Sequence, residues 1–244
     1  MISTAVLSAQ KDPMGLAIYD FYTKKSSSTL RVFSSMFEED EIPVKHLFRE
    51  EKKLPVLEKT ALKLANGKIL DVGAGSGCHS LILQNRGCEV HAIDISPWSV
   101  SVMKSRGITN CYQVNLFDSS FNMQFDTILM LMNGSGVIGK INNLQHFFKR
   151  IDQLLLPDGF VLMDSSDLIY LLENEDGSVD IDLSGEYYGE VDYQMQYEDV
   201  VGDSFDWLYI DFDNLQYYAN KYGFNAELVK KGSHYDYLAK LSRL

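Results

Sequence analysis

No lysine or arginine occurs between Arg150 and Lys221, although the chain carries 22 basic residues. Eighteen of its 34 acidic residues fall in that gap, so the net charge of −12 divides into a segment at −18 and a remainder at +6. An enzyme of nucleic acid needs a basic track for the phosphates, and an acidic flank of this size repels one. Nucleic acid is therefore not expected as a substrate. Cysteine is scarce too: Cys78, Cys88 and Cys111 are odd in number and lack metal-ligand spacing. That argues against a disulfide framework or a metal site and for reduced thiols in a cytoplasmic protein. No apolar run approaches the roughly 20 residues of a membrane span. The opening MISTAVLSAQKDP is too short and weakly apolar for a signal peptide, so no membrane partner is expected.

What is present fits one sizeable core: 244 residues, 45% of them hydrophobic. From Lys68 onward, short apolar runs alternate with amphipathic stretches, the pattern of a parallel sheet covered by helices. KILDV, CEVHAID, NCYQV, FDTILMLMN and FVLMD read as five successive strands. Between them Ser96 and Pro97 open a helix stopped by Gly107, and Pro157 and Gly159 close the helix that begins at NNLQHFF. After Asp164 the rhythm changes. LENEDGSVDIDLSGE reads as an acidic loop or insertion, YYGEVDYQMQY and FDWLYIDF as antiparallel strands, and NLQYYANKYG as a helix. The chain closes on a hairpin. Helices are expected over 12–25 and 55–65, so residues 1–60 read as a lid before an α/β core.

The stretch KILDVGAGSGCHS, residues 68–80, carries the main functional signal. In an open α/β sheet, ligands sit beyond the carboxyl ends of the strands. Gly73 and Gly75 fall on the first strand-to-helix turn, where a missing Cβ permits positive φ and close approach to a ligand. Asp94 closes the second strand, where a carboxylate can accept from both hydroxyls of a ribose. These features indicate a nucleoside ligand. A dinucleotide fingerprint needs a third small residue where Cys78 stands. Asp71, two residues before the first glycine, disfavours a pyrophosphate and favours a cationic amino group.

With ILDVGAGSG, VHAIDIS, FDTILMLMNGSG and LLLPDGFVLMD in this order, the chain from about Leu57 to its end resembles the class I S-adenosylmethionine-dependent methyltransferases. The resemblance implies an α/β, Rossmann-like, doubly wound sheet of seven mostly parallel strands with an antiparallel terminal strand. It stands here behind an N-terminal helical lid. One domain is expected over 1–244, with the lid at 1–60, a cofactor half at 61–164 and an acceptor half at 165–244. S-adenosyl-L-methionine is the implied cofactor. Asp71 and the backbone of Gly73, Ala74 and Gly75 would hold its methionine moiety, and Asp94 its ribose. Ile95 would pack on the adenine, with Asn115 and Leu116 at the adenine edge. Asn133 would lie near the transferring methyl, or simply serve the turn NGSG.

The acceptor is less sharply marked. NGSG is not the Asn/Asp-Pro-Pro-Tyr motif of base-modifying enzymes, and Asn133 with Asp164-Ser165 does not supply a catechol-type metal site. A small-molecule acceptor is expected. The acidic segment also holds Tyr187, Tyr188, Tyr193, Tyr197, Trp207, Tyr209, Tyr217 and Tyr218, a composition suited to a cationic amine and better explained by ordinary half-buried sheet. Asp164, ending the fifth strand, is the polar candidate on the acceptor side, or else a cap within the stretch DSSD. His79, at a helix N-terminus that disfavours a cation, reads as a neutral packing residue. A catalytically idle adenosyl-binding protein on the same fold is the alternative reading.

Overall fold

The computed structural model describes all residues except 1, 26–28, 175, 177 and 181–184. The middle of the expected acidic loop therefore lies outside the described residues. In chain order the helices are α1 (Pro13–Lys24), α2 (Val56–Leu64), α3 (Cys78–Asn85), α4 (Pro97–Ser105), α5 (Leu144–Leu154) and α6 (Phe212–Lys221). The strands are β1 (Leu30–Phe33), β2 (Asp40–Ile42), β3 (Lys68–Val72), β4 (Glu89–Asp94), β5 (Asn110–Gln113), β6 (Phe125–Met130) and β7 (Leu155–Ser166). They continue with β8 (Glu190–Tyr197), β9 (Val200–Val201), β10 (Phe205–Leu208), β11 (Phe224–Lys231) and β12 (Asp236–Arg243).

Seven strands form the main sheet in the order β11-β12-β7-β6-β3-β4-β5. Neighbours from β7 to β5 run parallel, and β12 runs antiparallel to both β7 and β11. The expected seven-stranded sheet with its antiparallel strand is present. Because β3 leads outward to β4 and β5 while β6 leads the other way, the switch point lies between β3 and β6, where such sheets hold ligands. The central strands are apolar on both faces, as helices on both sides demand. Phe147, Phe148, Ile151 and Leu215, from α5 and α6, fill one side. Leu57, Ala61, Leu62 and Leu83, from α2 and α3, fill the other.

The lid is not the helical one expected. Residues 12–25 and 55–65 do form α1 and α2, but α2 belongs to the cover of the main sheet, and β1 and β2 lie between the two helices. β1 pairs with β8, so the N-terminal hairpin and the acidic-segment strands complete a second, antiparallel sheet ordered β10-β8-β1-β2, with β9 on β8. A four-residue strand has no periodicity to announce it, and its partner lies some 165 residues away (Arg31 opposite Gln196). α1 joins the two sheets. Asp12 caps it by accepting from Gly15 N at 2.8 Å, and Ser96 Oγ, itself the cap of α4, donates to the same carboxylate at 2.5 Å.

Candidate active site

The turn after β3 has left-handed backbone at Gly73 (φ 65°), Gly75 (φ 56°) and Gly77 (φ 78°). The three glycines serve different ends. A Cβ on Gly77 would fall 2.2 Å from Ile108 Cδ1 and 2.9 Å from Met103 Cγ, so this glycine lets the turn press onto the core. A Cβ on Gly73 or Gly75 would meet no atom closer than 4.0 Å and 3.9 Å, and would project into open space. That space is the cradle. Asp94 stands at its rim, accepting from Gly75 N at 2.7 Å and from Ser96 N at 2.8 Å. Burial pushes its carboxyl up to about 6 against the pull of those two N–H groups. Asp71, buried beneath, accepts from Ser80 Oγ at 2.5 Å, and burial raises its carboxyl too. A side-chain-free backbone between two carboxylates, with no lysine or arginine bonded to either, fits an adenosyl amino acid with its hydroxyls and ammonium. It does not fit a diphosphate.

Beside the cradle, the first residues of the chain form a strap across the ends of β4 and β5. Leu7 N donates to Ile95 O at 2.9 Å, and Gln113 Nε2 donates to Leu7 O at 3.0 Å. Asn115 Nδ2 donates to Ala5 O at 2.9 Å while its Oδ1 accepts from Phe117 N. Ile95 keeps an exposed side chain, as an adenine contact requires. Leu116 does not: its side chain is in the core, and its carbonyl accepts from Arg150 Nε at 2.6 Å. Only the backbone of Leu116 can face a ligand. The strap had no signal in the sequence because its contacts are main-chain atoms.

The turn after β6 is built otherwise. Met132 (φ 68°) and Asn133 (φ 56°) are both left-handed without being glycine, a conformation that costs about 1–2 kcal/mol per residue. Asp164 holds them. Its Oδ2 accepts from Met132 N at 3.1 Å and its Oδ1 from Gly134 N at 3.0 Å. Asn133 Oδ1 accepts from Ser166 Oγ at 2.9 Å. Asp164 is buried, which pushes its carboxyl up to about 6, with Glu58 nearby adding to the rise. The second sheet bears on the same turn: Trp207 lies where a Cβ on Gly136 would be, and Ser135 Oγ donates to Leu208 O at 2.8 Å. Val137 is the nearest neighbour of Gly73, so the two turns meet at the switch point.

Behind the glycine turn is a buried ionic set that sequence reading missed. His79 Nε2 lies 2.6 Å from Glu58 Oε2, and Arg49 Nη2 donates to both Glu58 oxygens at 2.8 and 3.0 Å. Burial by itself lowers the affinity of His79 for a proton. Its contacts with Cys78 and Glu58 and the charge of Asp71 more than offset that and lift it well above the ordinary imidazole range. The expectation of a neutral His79 is thus corrected: the helix-terminus argument is outweighed by a buried carboxylate from α2, a partner invisible in local sequence. On the acceptor side, Asp167 follows Ser166 at the carboxyl edge of β7. Its Oδ1 accepts from Tyr188 Oη at 2.8 Å and Ile169 N at 2.9 Å. Its Oδ2 has no partner among the described residues. The half-exposed rings of Tyr170 and Tyr235 meet nearby at a tilt of 34°, their centroids 5.3 Å apart. Among the described residues, no group of three or more His, Cys, Asp or Glu side chains is placed to hold a metal, and no helix is long and apolar enough to cross a membrane.

Fold and site together define an adenosyl-binding α/β protein of the methyltransferase type, and comparison with known proteins agrees. Residues 70–163 match the family described as a methyltransferase domain. The chain is similar to a crystal structure of an S-adenosylmethionine-dependent methyltransferase from Bacteroides fragilis in complex with S-adenosyl-L-homocysteine. The identity is 62%, the TM-score 0.93, and 98% of each chain is covered. It is also 26% identical, over 73% of its own length and 80% of the other's, to an uncharacterized methyltransferase of Staphylococcus carnosus. This chain belongs to the S-adenosylmethionine-dependent methyltransferases.

Proposed function

We propose that this methyltransferase acts on a small molecule and that the atom methylated is an amine nitrogen. Asp94 accepts the ribose hydroxyls of the cofactor. The backbone of Gly73, Ala74 and Gly75, with Asp71, holds the methionine end. Ile95, the side chain of Asn115 and the backbone of Leu116 border the adenine. The cofactor supplies a methyl group already activated by its sulfonium, so the protein's main task is to align and desolvate the acceptor, which can contribute roughly 7–11 kcal/mol. Asn133 faces the transfer region from the turn that Asp164 braces. In this reading Asp164 positions that turn.

The observation that carries the amine is Asp167 Oδ2. It is a carboxylate oxygen without a partner among the described residues, one residue beyond Ser166, set among tyrosines in a segment without lysine or arginine. A carboxylate there orients an N–H and takes up the proton that the nitrogen must shed, and the Tyr170 and Tyr235 faces suit a cationic product. The test is a panel of small amines, phenols and carboxylates, with S-adenosylhomocysteine formation as the readout. Turnover of amines supports the reading; turnover confined to phenols or carboxylates rejects it. Asp167→Asn should lower turnover at least ~10-fold, the loss of one charge-assisted bond, while leaving homocysteine-product affinity unchanged. Asp94→Ala should instead weaken that affinity by about 1–3 kcal/mol. Unchanged affinity would count against the ribose assignment.

A further inference from the structure

A cavity of about 400 Å³ opens beside α3. Its walls include Phe48, Arg49, Arg86 and Arg106. Three arginines in one cavity are unusual in a chain with an excess of acid, and their partners differ. Arg86 Nη2 pairs with Glu51 at 2.7 Å and Arg49 with Glu58 at 2.8 Å. Arg106 has no carboxylate within ion-pair distance among the described residues. Its Nη1 donates to Ser76 O at 2.6 Å and Ser76 Oγ at 3.0 Å, and its guanidinium lies over the Phe48 ring, 5.2 Å from the centroid. Burial lowers its proton affinity, as expected of a cation that has lost water without gaining an anion. Arginine forks match the geometry of oxyanions, and a desolvated cation with spare donors is where such a ligand binds.

We propose that this cavity is a binding site for a small phosphate-bearing molecule, whose oxygens are held by Arg106. Glu50 and Glu51 at the rim set a limit on the ligand: a compact group carrying one phosphate enters, and a polyanion is turned away. Through Ser76, Arg106 also touches the glycine turn, so a ligand here sits directly behind the cofactor cradle. The site is independent of the acceptor reading above.

The probe is inorganic phosphate, titrated into the full chain without cofactor at constant ionic strength set with sodium chloride. Binding is followed by calorimetry and by phosphorus NMR line width. Saturable binding is expected for the unaltered chain, and Arg106→Gln should weaken it ~10-fold or more, as removal of one charge-assisted contact does. Asn85→Asp, an exposed position on the same wall, adds a negative charge without touching the core and should weaken it in the same direction, which keeps the test decisive if Arg106→Gln folds poorly. Lys104→Gln, on α4 outside the cavity, should leave it unchanged. Absence of saturable binding overturns the proposal, and so does binding that Asn85→Asp leaves intact or that Lys104→Gln weakens equally.

Discussion

Two turns meet at the switch point of the sheet, and they reach left-handed backbone by opposite means. The turn after β3 removes side chains: Gly73, Gly75 and Gly77 adopt positive φ at little steric cost. The turn after β6 keeps side chains at Met132 and Asn133 and holds them against their preference with the buried carboxylate of Asp164. Backbone held in a sparsely populated region persists only where its surroundings over-determine it, and such places cluster at functional sites. The first turn leaves open space in front of its backbone. The second leaves Met132, though large and apolar, 38% exposed.

The contrast can be broken most forcefully at Asp164. Asp164→Ala leaves two backbone N–H groups without their acceptor and should destabilise the protein by about 3 kcal/mol in urea unfolding, at 1–3 kcal/mol per stranded donor. Asp164→Asn should recover part of that. Within the glycine turn, Gly77→Ala and Gly75→Ala should separate. The first meets Ile108 and Met103 and should cost about 2–3 kcal/mol of stability. The second meets open space and should cost about 1 kcal/mol of stability while weakening S-adenosylhomocysteine binding, because its methyl group enters the cradle. Equal losses of affinity in both variants would erase the distinction drawn between the glycines. Met132→Gly should have the opposite sign, stabilising the chain by about 1 kcal/mol as the strain is released.

The same buried carboxylates set a response to pH. Asp94 and Asp164 are raised by burial to about 6 in the folded protein, against about 3.9 in an unfolded chain. Between those values the folded state binds more protons, so these two groups make the ligand-free protein more stable as pH falls from about 7 towards 4. Asp94→Asn should flatten part of that rise, as read by thermal unfolding across the interval. A slope identical to that of the unaltered chain would mean that the two carboxylates are not raised.

The seven strands of the main sheet were legible because each carries its own signal: an apolar run, a cap, or a glycine at the right offset. The cradle was legible for the same reason, since Asp71, Gly73, Gly75 and Asp94 act within a strand-turn-helix-strand unit whose spacing is local. In the second sheet β8 and β10 were legible as antiparallel strands, but β1 was not, because it offers four residues and its partner β8 is more than 150 residues distant. His79 was misread for a related reason. Its charge depends on Glu58, on another helix, and local arguments saw only the helix terminus. The orientation of Leu116 was not legible either: its side chain turns to the core, which its place after a strand does not announce.

By itself the sequence determined the sheet, the glycine turn and the character of the ligand, because short-range spacing and the absence of charge-bearing side chains decide those. Tertiary structure decided which carboxylates are free and which are committed. It set Asp164 beneath a strained turn and Asp167 at an open edge. It also brought Arg49 to Glu58 and, among the described residues, left Arg106 without a carboxylate. The physical reason is that a charge takes its chemical role from burial and partners, and those come from chain segments that meet only when the protein folds.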